Sequence, residues 1–563
     1  MTASPPLTDQ ADAEANDRSA PFFNLVEEPW LPAIRTDGTQ EFYSLRGVFD
    51  SAQDIRRLHG DLPTMQPAIL RILITVMSRA VGLPGGASDW LALTADWATV
   101  AESVDRYLTA HKDRFWLRHP VEPFFQVADL GPESGDTKDL GAIVADYPAN
   151  VTFFTQRGPR SLEAMEPAEA ARWLVHAHQY DTSGIKTPDR RDPRAKGGKV
   201  YPNGTGWMGK GEVLIAHGPT LADTLRLHLI SPTVLGVKHG IDDLPPWERP
   251  HPGPVEEFSA PAVPAGFLQV YTWQTRRVRL VFSGEVVTQV VLCYGDPLHE
   301  QNRQQYDPMM TWRYSKPQST KAKTTVYMPG IVDPRRDAWR GMTAWLPTAA
   351  QDTTNNEPNH LEPGVLRWIG HLHRELAVPL SFKPAISVYG IEYGPQSSTF
   401  AEVLEDYVDV PPFLLTDDAT DQAITVRHAI ADADTVAWYL GTFATNLAKA
   451  RGVDIAEGLR DEAKTRAYLT FGRRFTRWLD VVAVPNSNRP GRAVWQQALR
   501  QDAEFIAEEL ADAAGPSAYI GRRMSAESDT WITADLARRY LMHGLRKTLP
   551  LAFEETKNES AER

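Results

Sequence analysis

TVAWYLGTFATNLAKA (435–450) carries Val436, Leu440, Phe443 and Leu447 at i, i+4, i+7 and i+11. That spacing lays four apolar side chains along one stripe of a helix. Three more stripes follow it: Tyr468, Phe471, Phe475, Trp478 and Leu479; then Val494, Ala498, Phe505 and Leu510; then Trp531, Leu536, Tyr540 and Leu545. Four amphipathic helices joined by Pro- and Gly-containing breaks, the clearest running from Pro485 to Gly491, predict a four-helix bundle over 405–555.

Upstream of residue 405 the chain is dense in Pro, Gly and Trp, and short apolar runs alternate with helical ones. LRILITVMSRAV (70–81) predicts a helix, and VRLVFSGEVVTQVVLCYG (278–295) predicts a hairpin turning at Ser283-Gly284. The fold class is therefore α+β: an irregular mixed α/β N-terminal domain over 21–404, followed by the bundle. Residues 1–20 and 556–563 are polar and predict disordered tails.

Composition bounds the function. Of 563 residues, 42% are hydrophobic, enough for a large core and too many for a mainly disordered chain. Lys and Arg number 59 against 72 Asp and Glu, a net charge of −13. The sum argues against a nucleic-acid binder, but local patches set phosphate contacts. The longest apolar run, Ala68 to Met77, is interrupted by Arg71 and is too short to span a membrane. The N-terminal stretch has neither the basic nor the apolar region of a signal peptide. Cys293 is the sole cysteine, so an intramolecular disulfide and a Cys-rich zinc site are excluded, and a reducing cytoplasmic setting is the expectation.

Catalytic constellations are hard to find. GxxxxGK[ST], GxSxG and HExxH are absent. His371 and His373, like His176 and His178, lie two apart rather than four, and read as ordinary surface or core imidazoles. Cys293 sits in an apolar run, where a buried inert thiol is expected. The basic segments say more. KTPDRRDPRAKGGK (186–199) places Lys186, Arg190, Arg191, Arg194, Lys196 and Lys199 against Asp189 and Asp192. Its prolines and glycines predict a mobile cationic loop able to follow a phosphate backbone; a solvated surface loop is the competing reading. Arg313, Lys316, Lys321 and Lys323 interleave with Trp312, Tyr314 and Tyr327, a pattern suited to phosphate contact with base stacking. Lys464, Arg466, Arg473, Arg474 and Arg477 crowd one helix and read equally well as a solvated face.

FNLVEEPWLPAIRTDG (23–38), SLRGVFDSA (44–52), DLPTMQPAILRILI (61–74), HPVEPFFQV (119–127) and YDTSGIKT (180–187), in this order and ahead of a helical C-terminus, resemble the CasA family. That family is the large subunit of the type I-E CRISPR surveillance complex, Cascade. The resemblance covers nearly the whole chain after residue 20. It implies a non-enzymatic subunit of a guide-RNA complex. Such a subunit recognises the protospacer-adjacent motif (PAM) in duplex DNA, largely from the minor groove, helps open the duplex and docks the helicase-nuclease.

The resemblance also assigns candidate residues. Thr182, Ser183, Gly184, Ile185 and Lys186 match a glycine-containing loop whose backbone approaches the base edges. Gln396, in VYGIEYGPQSSTF (388–400) with Gly394 and Pro395 making the turn, matches a glutamine wedge. The family's lysine finger has no lysine in the matching GDPLHEQNRQQYDPM (295–309); Arg303 and Lys316 are the substitutes considered. Phe153, Phe154, Thr155 and Gln156 in NVTFFTQRGP (150–159) match a loop that contacts the guide RNA and its bound subunits. Arg190, Arg191, Arg194, Lys196 and Lys199 then become candidates for the DNA backbone. No metal or cofactor is expected. The expected partners are the guide-RNA-bound Cascade subunits, target double-stranded DNA and the helicase-nuclease, with no membrane. The alternatives are a stand-alone nucleic-acid enzyme that grips phosphate with the basic loop, and a pure protein scaffold.

Overall fold

The computed structural model describes residues 20–132, 134–147, 155, 157–200, 204–257, 262–347, 353–354, 357–453, 456–483, 491–523 and 531–554. The expected tails fall outside these residues, apart from Ala20, and so does most of the break at 485–491. Two compact units account for the chain. One comprises Met1–Arg335 with Asp352–Tyr407, the other Arg336–Gln351 with Val408–Arg563.

The first unit opens with a small antiparallel sheet in which β1 (Leu31–Arg35) lies between β2 (Gln40–Tyr43) and β3 (Ile55–Leu58). Its central helix, α1 (Met65–Val81), is apolar on nearly every face and is buried from Met65 to Ser78. Two more helices pack on it, α2 (Trp97–His111) and α3 (Pro167–Tyr180). Arg71 is the one buried charge of α1, whose other charge, Arg79, lies in the last turn. Arg71 is fully buried and pairs with the equally buried Asp307 at 2.8 Å, and Asp307 also accepts the Trp207 indole N–H at 2.7 Å. A desolvated guanidinium in an apolar helix needs such a partner; removing one member of a buried pair typically costs about 3–5 kcal/mol.

Two β elements frame the site described below. β4 (Val213–His217) is joined by a long hairpin, whose first strand β7 (Ala385–Tyr393) pairs with β4 and whose second is β8 (Phe400–Asp409). Between them in sequence, β5 (Arg276–Ser283) and β6 (Val286–Tyr294) form the expected hairpin. Ser283 faces Val286 across a two-residue turn in which Gly284 takes φ 62°.

The second unit holds four long helices: α4 (Thr420–Ala450), α5 (Glu457–Val482), α6 (Gly491–Ala514) and α7 (Ala534–Thr548). Helix α4 packs against the other three. The first two predicted stripes face inward: Val436, Leu440, Phe443 and Leu447 are buried, as are Phe471, Phe475, Trp478 and Leu479. The third does not, and of the fourth only Leu545 does. In α6 the buried face runs through Trp495, Leu499, Ala503 and Ile506, one residue away from the predicted one, leaving Val494 50% and Phe505 59% exposed. One position is 100° of helix, and both stripes satisfy the periodicity. Trp495 decides between them, meeting Phe475 edge-on and Trp478 at a tilt, at centroid distances of 5.6 and 5.3 Å, and donating its indole N–H to the Ala429 carbonyl. Beside it the buried Asp432 carboxylate accepts from Arg492 and Gln496. In α7 the inward residues are Ala534, Ala537, Leu541, Gly544 and Leu545; Tyr540 is outside, and Trp531 lies in a two-residue strand before the helix. Small residues are needed there because Tyr439 lies against Gly544 so closely that a Cβ would overlap its ring.

The sequence boundary at 404/405 also shifts. The contacts divide the chain at 407/408 and place 336–351 with the helices. Trp339 accounts for this, with its ring 4.9 Å from Phe475, as does Arg340, which lies 3.7 Å over the Tyr468 ring and bonds Asp434. The basic face of α5 is partly neutralised, since Arg474 pairs with Asp502 at 2.6 Å and Arg466 with Glu509.

The shifted face of α6 gives a direct test by chemical denaturation. Trp495→Ala should destabilise the second unit by about 3–5 kcal/mol, whereas Phe505→Ser should stay within about 0.5 kcal/mol. The reverse order would restore the predicted stripe.

Candidate nucleic-acid interface

Helix α3 ends at Tyr180, where Thr182, Ser183 and Gly184 offer poor helix propensity and the Asp181 side chain is drawn elsewhere. Asp181 is 7% exposed, and two cations converge on its carboxylate: Lys186 at 2.7 Å and the Arg276 Nε–H. Burial would raise this carboxyl, but Lys186 and Arg276 outweigh it and hold it below the usual carboxylate range. Burial pushes the Lys186 ammonium down to about 8, against the pull of Asp181.

The loop that follows is tied down through its carbonyls. Arg276 Nη2 donates to the carbonyls of Asp181 (3.1 Å), Thr182 (2.9 Å) and Gly204 (3.0 Å). The Tyr294 hydroxyl donates to the Gly184 carbonyl at 2.7 Å. Arg276 and Tyr294 are themselves cross-strand partners at the open end of the β5–β6 hairpin, with the guanidinium 4.8 Å over the phenol ring. Ile185 projects outward, 57% exposed.

The tip of the β7–β8 hairpin lies against this loop, because the Ser183 N–H donates to the Ser397 carbonyl at 2.7 Å. The tip is a short 3₁₀ turn over Pro395–Ser397, with Gln396 exposed at its apex. Gln396 and Ser397 both adopt left-handed backbone conformations, φ 56° and 52°. Such conformations cost of order 1 kcal/mol or more each for non-glycine residues, and they persist where surrounding bonds over-determine them. Here the Ser397 N–H bonds the Gly394 carbonyl, and the Gly394 N–H bonds the Thr399 carbonyl. A cavity of about 170 Å³ lies between loop and tip, lined by Lys138, His176, Asp181, Lys186, Ser398 and Phe400 among others.

The cationic segment is more ordered than its composition suggests. Asp189 binds Arg191, which also reaches Asp129, and Asp192 binds Arg194, which also reaches Glu256. Lys196 and Lys199 exchange backbone hydrogen bonds across Gly197 (φ 57°) and Gly198 (φ 72°), a tight turn of the I′ kind. Of the six cations, Lys186 is buried and Arg191 and Arg194 are engaged by carboxylates, against the expectation of a mobile cationic loop. Arg190, Lys196 and Lys199 are exposed, and among the described residues no carboxylate pairs with them.

The remaining candidates scatter. Arg303 is half-buried and donates to the Ala262 carbonyl at 2.8 Å, while Lys316 is exposed at the start of the short helix Lys316–Ala322. Among the described residues neither is hydrogen-bonded to the 182–186 loop or the hairpin tip. Phe153, Phe154 and Gln156 lie outside the described residues; Thr155 accepts the Arg157 N–H and lies 3.4 Å from Asp146. Asp181, Arg276 and Tyr294 were missed by the sequence reading. The available signal was Arg276-Arg277 at the head of a largely apolar strand, since two buried guanidinia must have carbonyls or carboxylates waiting for them.

A family model described as CRISPR-associated protein Cse1 matches residues 24–505. The chain belongs to the Cse1 family. Cse1 of Thermobifida fusca, known from a crystal structure, is 36% identical with a TM-score of 0.86, covering 95% of this chain and 99% of that one. Cse1 from Acidimicrobium ferrooxidans is 26% identical with a TM-score of 0.75, covering 94% and 99%. The CRISPR-associated protein CasA/Cse1 of Thermus thermophilus is 28% identical over 333 residues, 58% of this chain. The chain thus spans about three-fifths (60%) of the length of that curated relative. The α+β fold with a helical C-terminal region matches the Cse1 structures.

Of the groups weighed for catalysis, Cys293, His176 and His178 are buried. Burial pushes the Cys293 thiol up to about 12. His176 bonds Thr64 Oγ1 at 2.9 Å and His178 the Phe125 carbonyl at 2.8 Å. Burial pushes both imidazoles down to about 3.

The unfolded imidazole titrates at about 6.5. Below that pH the unfolded chain takes up protons that the folded chain refuses. Stability present above pH 6.5 is therefore lost as the pH falls, by up to about 1.4 kcal/mol per pH unit for each histidine. Urea denaturation at pH 7.5 and 5.5 should show this loss, and His176→Gln should flatten it. A midpoint independent of pH would contradict neutral burial.

Proposed function

We propose that this chain is the non-catalytic subunit of a guide-RNA surveillance complex that recognises the PAM in target duplex DNA through the minor groove. In the same reading it promotes duplex opening and R-loop formation and recruits the helicase-nuclease. The observation that carries the proposal is the joining of the 182–186 loop to the turn that presents Gln396, by the Ser183–Ser397 hydrogen bond, in a chain of the Cse1 family.

The minor groove is roughly 6 Å wide and displays mainly an A·T-versus-G·C difference. A loop reads it by bringing backbone close to the base edges, so side-chain bulk at the approach must be small. Gly184 supplies that. A Cβ added there would meet only Thr182 Oγ1 at 3.6 Å and the Ser398 carbonyl at 3.7 Å, ordinary contact distances. The free protein therefore tolerates alanine at 184, and any need for glycine comes from what the loop touches. Gln396, exposed at the hairpin tip, would stabilise an unstacked step beside the PAM, whose opening costs a few kcal/mol. Arg190, Lys196 and Lys199 are the cations of this segment available for phosphates.

Target binding by the guide-RNA complex, reconstituted with and without this chain on duplexes of varied PAM, tests the reading. Adding the chain should produce PAM-dependent binding. Gly184→Ala should keep the fold and reduce PAM discrimination, and Gln396→Ala should reduce R-loop formation roughly tenfold or more. Lys196→Ala with Lys199→Ala should weaken all duplexes alike and lower the salt slope by up to about 2. A chain that neither joins the complex nor alters DNA affinity would overturn the reading and direct attention to the enzyme alternative.

A further inference from the structure

We propose that Tyr294 and Arg276 are positioning residues for DNA recognition: this cross-strand pair fixes the 182–184 backbone and, through the Ser183–Ser397 hydrogen bond, sets the Gln396 turn, so that reading loop and wedge move as one body. The inference rests on the function proposed above and assigns to that site two residues that do not themselves touch DNA.

The bonds form a continuous path. Tyr294 and Arg276 face each other in the β5–β6 register. Between them they occupy the carbonyls of Asp181, Thr182 and Gly184. With the carbonyls on both sides of it held, the Ser183 amide is left pointing at the hairpin tip, where it meets the Ser397 carbonyl. Ser397 and Gln396 are the two left-handed residues of that tip. A turn holding two such residues has a competing relaxed form, so each bond that pins it changes the population of the reading conformation. The Asp181 carboxylate anchors the whole from beneath, holding Arg276 and Lys186 in place.

The two residues differ in what they hold. Arg276 is 1% exposed and bound to a carboxylate and several carbonyls, so its loss would disturb the fold as well as the loop. Tyr294 is equally buried, but its hydroxyl bond to the Gly184 carbonyl can be removed alone, since Tyr294→Phe deletes the hydroxyl while keeping the ring under the guanidinium. Tyr294→Phe is therefore the informative variant.

Two readouts separate this inference from the function beneath it. The first is amide hydrogen exchange on the free full-length chain, without DNA. Tyr294→Phe should speed exchange at Ser183 and across 394–399 roughly three- to tenfold, the range a single lost hydrogen bond supports, with α1 and β4 unchanged. The second is the ratio of affinities of the reconstituted complex for PAM and non-PAM duplexes, which should fall by a similar factor while non-PAM affinity holds. Unchanged exchange at the tip would overturn the coupling, as would acceleration spread evenly over the unit. Faster exchange with PAM discrimination intact would overturn the positioning role. If the unmodified chain shows no PAM discrimination, the proposed function fails, while the exchange result still decides whether loop and tip are coupled.

Discussion

A buried carboxylate between two cations organises the candidate interface. Asp181 sits at the C-terminal end of helix α3, out of water, with Arg276 and Lys186 on one carboxylate. Three desolvated charges are costly unless each has a partner, and the arrangement is stable only if helix end, loop and strand all keep their places. The helix contributes as well, since the negative end of its dipole favours cations at this point. One electrostatic requirement therefore fixes where α3 stops, where β5 begins and how the 182–186 loop runs. The hairpin tip takes its position from that loop.

The same logic governs the cationic segment. Asp189 and Asp192 each clamp an arginine two residues on, and the KGGK turn closes on itself. What the composition presents as a flexible string of charge is folded into successive turns, with only part of its charge turned outward. A chain of net charge −13 that binds DNA would do so through a few placed cations rather than a general field.

Much of the fold was legible because periodicity reports burial directly. The inward faces of α4 and α5 follow from apolar spacing, the β5–β6 hairpin from β-branched content about a turn, and helix α1 from its apolar run. Helix α6 did not yield, because it carries two apolar stripes one residue apart, and in α7 only Leu545 of the predicted stripe faces inward. The inward faces were set by partners far away in sequence, Trp495 meeting Phe475 and Trp478, and Gly544 meeting Tyr439. The hairpin tip was legible from Gly394-Pro395, whereas its left-handed Gln396 and Ser397 were not. The 182–186 loop was placed by resemblance rather than by pattern. Its supports, Asp181, Arg276 and Tyr294, are spread over more than 110 residues and meet only in the fold. Lys186 shows the limit of reading charge from sequence: the first cation of the basic run is a buried structural ion.

The central claim is that the 182–186 loop and the Gln396 turn address one and the same short stretch of duplex. Photo-cross-linking measures this most directly, with a photoreactive residue introduced separately at Ile185 and at Gln396 in the reconstituted complex on end-labelled target DNA. The account predicts cross-links from both positions within the PAM and the base pair next to it, lost together when the PAM is changed. Cross-links at separated sites, or from neither position, would contradict it.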